Sequence, residues 1–154
     1  MSDAGRTSIL MQQMDTSVGR RLLRWGVAVV GAHFLLVLWH LLLLLTVEPN
    51  TPRLLPPILI LINLLPLAGL LAYAKGFSKS AAILIALPLA VGLAIGGYSH
   101  FLSPGTDNVF RMPPGEFRLS FQVSALLLVI LEASGCWIAL RMFVSKNSGS
   151  PMDK

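Results

Sequence analysis

Four long apolar runs, separated by polar breaks, dominate the chain. They cover Leu22 to Val47, Leu54 to Ala74, Ala81 to Leu102 and Leu119 to Val144. Each reaches or exceeds the ~20 residues that a helix needs to cross the hydrocarbon core of a bilayer. Inside a bilayer the backbone must satisfy its own hydrogen bonds, and a helix does so within one segment. The pattern therefore predicts an all-α integral membrane protein. We expect a four-helix transmembrane bundle over residues 22–146, a polar N-terminal tail over 1–21 and a disordered C-terminal tail over 147–154. For the N-terminal tail an irregular chain is favoured over a short interfacial helix around Ile9 to Met14.

The breaks refine this picture. Lys75-Gly76-Phe77-Ser78-Lys79 is so short that the second and third spans must be antiparallel neighbours. Pro56 and Pro57 suit the first turn of the second span, where a missing N–H costs nothing. Pro66 and Pro88 fall inside spans, and each removes one helical hydrogen bond. The break from Ser103 to Arg118 is longer. Turn formers at both its ends enclose Val109, Phe110 and Met112. This predicts a structured outer loop folded back on the bundle, against the alternative of a plain connector touching headgroups.

Composition agrees. The chain has 154 residues, 55% of them hydrophobic and 12% charged, about half the charged share of a soluble domain. Four spans leave no room for a soluble catalytic module. The formal charge of +5 would suit nucleic acid, but its placement argues for topology instead. Arg6, Arg20, Arg21, Arg24, Lys75, Lys79, Arg141, Lys146 and Lys154 make nine basic residues on one side. Arg53, Arg111 and Arg118 make three on the other. The positive-inside rule then puts both termini in the cytoplasm, in a bacterial inner (plasma) membrane. The expected partners are the lipid bilayer, its anionic headgroups included, and another membrane protein or a second copy of the chain. The first run is too long for a signal-peptide core and ends without a small-residue cleavage site, so it reads as a retained anchor. The single cysteine, Cys136, allows no intramolecular disulfide and reads as a small packing residue.

Polar residues within the spans are the candidate chemistry, because ionisable groups at bilayer depth are costly and seldom face lipid. His33 lies 14 residues from Val47 and Glu132 lies 13 from Leu119, so at 1.5 Å per residue both are roughly 20 Å deep and level. His40 is about 10 Å in, Asn63 about as deep, and His100 within roughly 5 Å of the outer end of its span. His33 and His40 share a helix face with Gly26. Glu132 shares one with Ala125, Gly135 and Ala139, and His100 follows Gly92 and Gly96. Small residues mark helix–helix contact in membranes. Two polar layers are expected: His33 with Glu132 in the middle, and His40, Asn63 and His100 outside it. The outer layer lies beneath Asp107, Asn108 and Phe110 of the loop. Trp39 and Tyr98 belong near the outer face, and Trp25, Trp137 and Tyr73 near the inner one.

Several chemistries fit these residues. Glu132 can bond His33 as an interhelical staple, relay a proton, bind a ligand or pair with another subunit. His33 and His40 are expected as interhelical hydrogen-bonders before metal ligands, Asn63 as glue between helices, and His100 sits at interface depth, where a histidine needs little explanation. Haem b could be held between His40 and His100 on facing helices. Copper or zinc could take His40, His100 and Asp107, and a quinone or lipid could lie beneath the loop. No serine or cysteine has an evident base partner at matching depth on the outer surface, and there is no phosphate loop, nucleotide fingerprint or zinc-protease motif. The sequence thus favours a non-enzymatic membrane subunit or binding module acting with partner proteins. The alternative is a cofactor-binding electron- or proton-transfer protein. A transporter would need oligomerisation, since four helices leave little room for a pathway.

Overall fold

The computed structural model describes residues 3–47, 55–104, 108–111 and 114–147. Four helices account for most of them: α1 (Asp3–Val47), α2 (Leu55–Ala74), α3 (Ser78–Gly97) and α4 (Arg118–Asn147). A π-helical turn, Tyr98–Leu102, continues α3. There is no strand among the described residues. Three segments are long and apolar enough to cross a membrane: Ser17–Thr46, Ser78–Leu102 and Arg118–Ser145. In α2 the corresponding stretch is the shorter Ile62–Ala74.

One expectation is corrected. The N-terminal region is helical from Asp3 and runs into the first apolar run without a break. Ala4, Arg6, Leu10, Met11, Gln12, Gln13 and Met14 are good helix formers, and no proline interrupts them. An established helix also extends more easily than a new one nucleates. The expected C-terminal tail beyond Asn147 lies outside the described residues.

The helices pack in a ring, with α1 beside α2 and α4, and α3 beside α2 and α4. The turn between α2 and α3 shows how local sequence sets this arrangement. Gly76 adopts φ 92°, a left-handed conformation that glycine takes without a Cβ penalty. Gly76 N–H donates to Tyr73 O and Phe77 N–H donates to Ala72 O. These two bonds form a Schellman cap that ends α2 and reverses the chain.

The core has two apolar parts. One is built from Val30, Leu70, Ile85, Leu89, Ile138, Ala139 and Met142. The other is built from Leu43, Val109, Phe121 and Ala125. On α1, His33 falls between Val30 and Leu43, and on α4, Glu132 falls between Ala125 and Ile138. The polar layer therefore separates the two parts. Side chains that face outward are large and apolar, including Trp25, Leu35, Leu71, Leu87, Ile95 and Leu119. That surface suits lipid and would be a heavy liability in water.

Candidate functional site

Glu132 and His33 are both buried, at 7% and 3% exposure. His33 Nε2 lies 3.4 Å from Glu132 Oε1, the long end of a hydrogen bond. α3 completes the seat. A Cβ on Gly92 would come to 2.5 Å from Glu132 Oε1, so the glycine leaves the carboxyl room close to α3. Three helices thus meet at one carboxyl group: α4 carries it, α1 supplies the imidazole and α3 supplies the notch.

Further along α1, His40 Nδ1 lies 2.8 Å from Ser124 Oγ on α4. The Ser124 hydroxyl itself donates to Phe121 O at 2.9 Å. A serine hydroxyl has one proton. Which of His40 Nδ1 and Ser124 Oγ donates therefore follows from the tautomer of the ring. His40 is 7% exposed, and its Nε2 is buried with no hydrogen-bond partner.

His100 meets His40 despite the offset in depth that the sequence implies. Their ring centres are 4.8 Å apart in an edge-on arrangement. Phe121 packs on both rings, at 4.5 Å from His40 and 5.5 Å from His100. The π turn carries His100. Ser103 N–H donates to Tyr98 O at 2.8 Å, the i to i+5 bond that defines such a turn. Widening the helix by one residue changes the direction of the side chains in it, and π turns often occur at functional sites.

The loop closes over this group. Val109 N–H donates to His100 O at 2.9 Å. Gln122 Nε2 donates to Val109 O at 2.6 Å, so the same residue is tied to the π turn and to α4. Asn108 Nδ2 donates to Ser103 O, and Asn108 Oδ1 accepts from Phe110 N–H. Asn108 and Val109 are buried, whereas Phe110 is 73% exposed, with its ring centre 6.2 Å from that of Phe101. The loop is therefore held by Val109 and Asn108. Asp107 and Met112 lie outside the described residues.

Asn63 stands apart from both layers. Its Nδ2 donates to Leu59 O, one turn back on α2, so its amide serves its own helix. Cys136 Sγ lies 3.7 Å from Ala86 O, a weak contact between α4 and α3. Trp25, Trp39, Trp137 and Tyr98 all face outward, and Arg141 lies 5.8 Å over the Trp137 ring.

Ser124, Phe121 and Gly92 complete the site and are not among the sequence candidates. Ser124 carried a signal. It lies five residues into the fourth apolar run, roughly 8 Å deep, which is close to the depth of His40.

The arrangement limits its own chemistry. A haem between His40 and His100 needs a flat macrocycle between the two rings. Those rings are in edge contact, with Phe121 against both, so as arranged they do not fit it. Among the described residues no three His, Cys, Asp or Glu side chains converge as a metal site. A cavity of about 340 Å³ lies along α1 where its apolar run begins, lined by Ser17, Arg20, Arg21 and Arg24, away from the histidines. No protein-family model matches the sequence, and neither a curated protein nor a solved structure is detectably similar to it.

Proposed function

We propose that this protein is a small integral-membrane module that acts in contact with another membrane protein or a second copy of itself. In this reading all four helices span a bacterial inner membrane, with both termini in the cytoplasm. The basic residues support that orientation, nine to three. The role is non-enzymatic. The buried pair His33–Glu132 serves as the polar joint that fixes how α1, α3 and α4 pack.

The observation that carries the partner is an outward face of small residues on α1. Ala28 and Ala32 are exposed, and a Cβ added at Gly31 between them would meet nothing within 4 Å. These positions lie one helical turn apart, on the side away from Val30 and His33. A face of this kind lets a second helix approach closely, and that approach drives association where lipid removes the hydrophobic driving force.

Gly31→Leu tests this directly, because the site is open and the fold should tolerate it. The wild-type protein, reconstituted in lipid nanodiscs or solubilised in mild detergent from its own membranes, should run as an assembly larger than the monomer. Gly31→Leu should shift it to the monomer with unchanged helicity. A wild-type protein that is monomeric under both conditions, and forms no crosslink from position 31 in its membrane, would end the proposal.

A further inference from the structure

We infer that one face of α1, built from Ser17, Arg20, Arg21 and Arg24, binds the phosphate headgroup of a single anionic phospholipid. The inference rests on the reading of α1 as a membrane span and not on the protein partner proposed above. The four residues are spaced i, i+3, i+4 and i+7, which stacks them on one helix face. All four are exposed, and together they line the cavity of about 340 Å³. The face points away from the bundle, since Gly26 and Val30 on the opposite side of the helix are buried.

The charge on this face calls for an anion. Guanidinium groups at three- and four-residue spacing on a helix repel one another. Between Asp15 and Glu48 the sequence holds no acidic residue, so the segment has no carboxylate of its own to balance them. A phosphate group between the side chains turns that repulsion into attraction. It also matches the guanidinium fork, which gives a phosphate two parallel hydrogen bonds at once. Ser17 adds a hydroxyl, which donates to or accepts from the polar atoms of a headgroup.

Depth selects a lipid over a soluble phosphate. A stretch of ~20 residues crosses the hydrocarbon core, and one that ends at Thr46 begins at Val27. Arg24 then lies about 4–5 Å outside the core, within the headgroup layer, and Arg20 and Arg21 lie roughly one turn further out. Trp25 and Val27 are exposed on either side of the face, where acyl chains leave a headgroup. Tryptophan favours that level of the membrane. The lipid is anionic because a zwitterionic headgroup holds a cation beside its phosphate, which three arginines would repel. Anionic lipids are also the ones that draw basic segments to the cytoplasmic leaflet.

The test is native mass spectrometry of the full-length protein in mild detergent, offered phosphatidylglycerol and phosphatidylcholine in equal amounts. One phosphatidylglycerol per chain should be retained, with a preference of about tenfold or more over phosphatidylcholine. Arg24→Gln should reduce that preference about fivefold. Arg20→Gln, Arg21→Gln and Arg24→Gln combined should abolish it with unchanged helicity. A micelle has no inside and outside, so a variant that inserts in the other direction is still read correctly. Arg141→Gln, an exposed arginine on α4, should keep the preference. Gly31→Leu should keep it too, so failure of the partner reading leaves this site standing. A large excess of inorganic phosphate should not displace the lipid. Equal retention of the two lipids, a preference that survives the combined variant or is lost equally in Arg141→Gln, or displacement by inorganic phosphate would each overturn the inference.

Discussion

Glu132 Oε1 lies 3.4 Å from His33 Nε2 while resting on the backbone notch at Gly92. A single carboxyl group therefore touches two neighbouring helices. It lies between two apolar parts of the core, where a helix rotation would expose a polar group to apolar surroundings. The contact is long for a hydrogen bond, and interhelical bonds in membranes average only about 0.6 kcal/mol. Its value lies in specifying the packing rather than in strength, since any other arrangement leaves a polar group without a partner.

Gly92→Ala should disturb this seat. The added methyl group would come to 2.5 Å from Glu132 Oε1, so the carboxyl group would have to leave its seat beside α3. A cost of about 1–3 kcal/mol is expected from overpacking, read as a lower midpoint in thermal or chemical unfolding in detergent. Gly97→Ala is the matched control, because a Cβ there meets nothing within 4 Å. An equal loss in both variants would show that the notch has no special role.

Ser124→Ala should destabilise by more than its small size suggests. It removes the hydrogen-bond partner of His40 Nδ1, so a ring that already has one unpartnered nitrogen would lose its remaining hydrogen bond. The expected loss is about 1–3 kcal/mol. Ser134→Ala is the comparison, because Ser134 bonds only Ile130 O on its own helix, at the surface. A cost no larger than that of Ser134→Ala would mean that His40 is not held by Ser124.

The outer loop separates two neighbouring residues by burial. Val109→Asp would bury a carboxylate in the apolar cluster with Leu43 and Phe121, and the loop should detach and become sensitive to protease. Phe110→Asp, at 73% exposure, should leave the loop in place. Equal protease sensitivity of the two variants would contradict the way Val109 is seated.

The orientation can be read with impermeant thiol labels, using Cys136→Ser as the parent. Cysteines introduced at Lys79 and Ser148 should react only after the membrane is opened. A cysteine at Gly115, an exposed loop position, should react from outside. Labelling at Ser148 from outside would mean that one of the apolar runs does not cross.

The helices were legible because apolar length is a strong and nearly context-free signal. The depth of His33 and Glu132 followed from helix rise alone, and their contact from that depth together with the small residues on their faces. The meeting of His40 with His100 was harder to read. Their depths differ by several ångströms in an ideal helix, and the π turn at Tyr98–Leu102 depends on a local widening that the sequence does not announce. Asn63 shows the opposite limit. A polar residue in an apolar run invites an interhelical partner, yet its amide reaches Leu59 O on the same helix. Side-chain bonds of this kind compete with packing and leave no periodic trace. The N-terminal region misled for a related reason. Its polarity suggested disorder, while its helix-forming residues allowed α1 to extend back to Asp3.

The contact between His33 and Glu132 is tested most directly by a double-mutant cycle on unfolding free energy. His33→Ala and Glu132→Ala each strand the other partner in the bundle, so each should destabilise. The double variant removes both groups and should cost less than the sum of the two, by at least about 0.5 kcal/mol, the threshold for coupled residues. Strict additivity would show that the two side chains do not interact and would contradict the polar joint on which this account of the bundle rests.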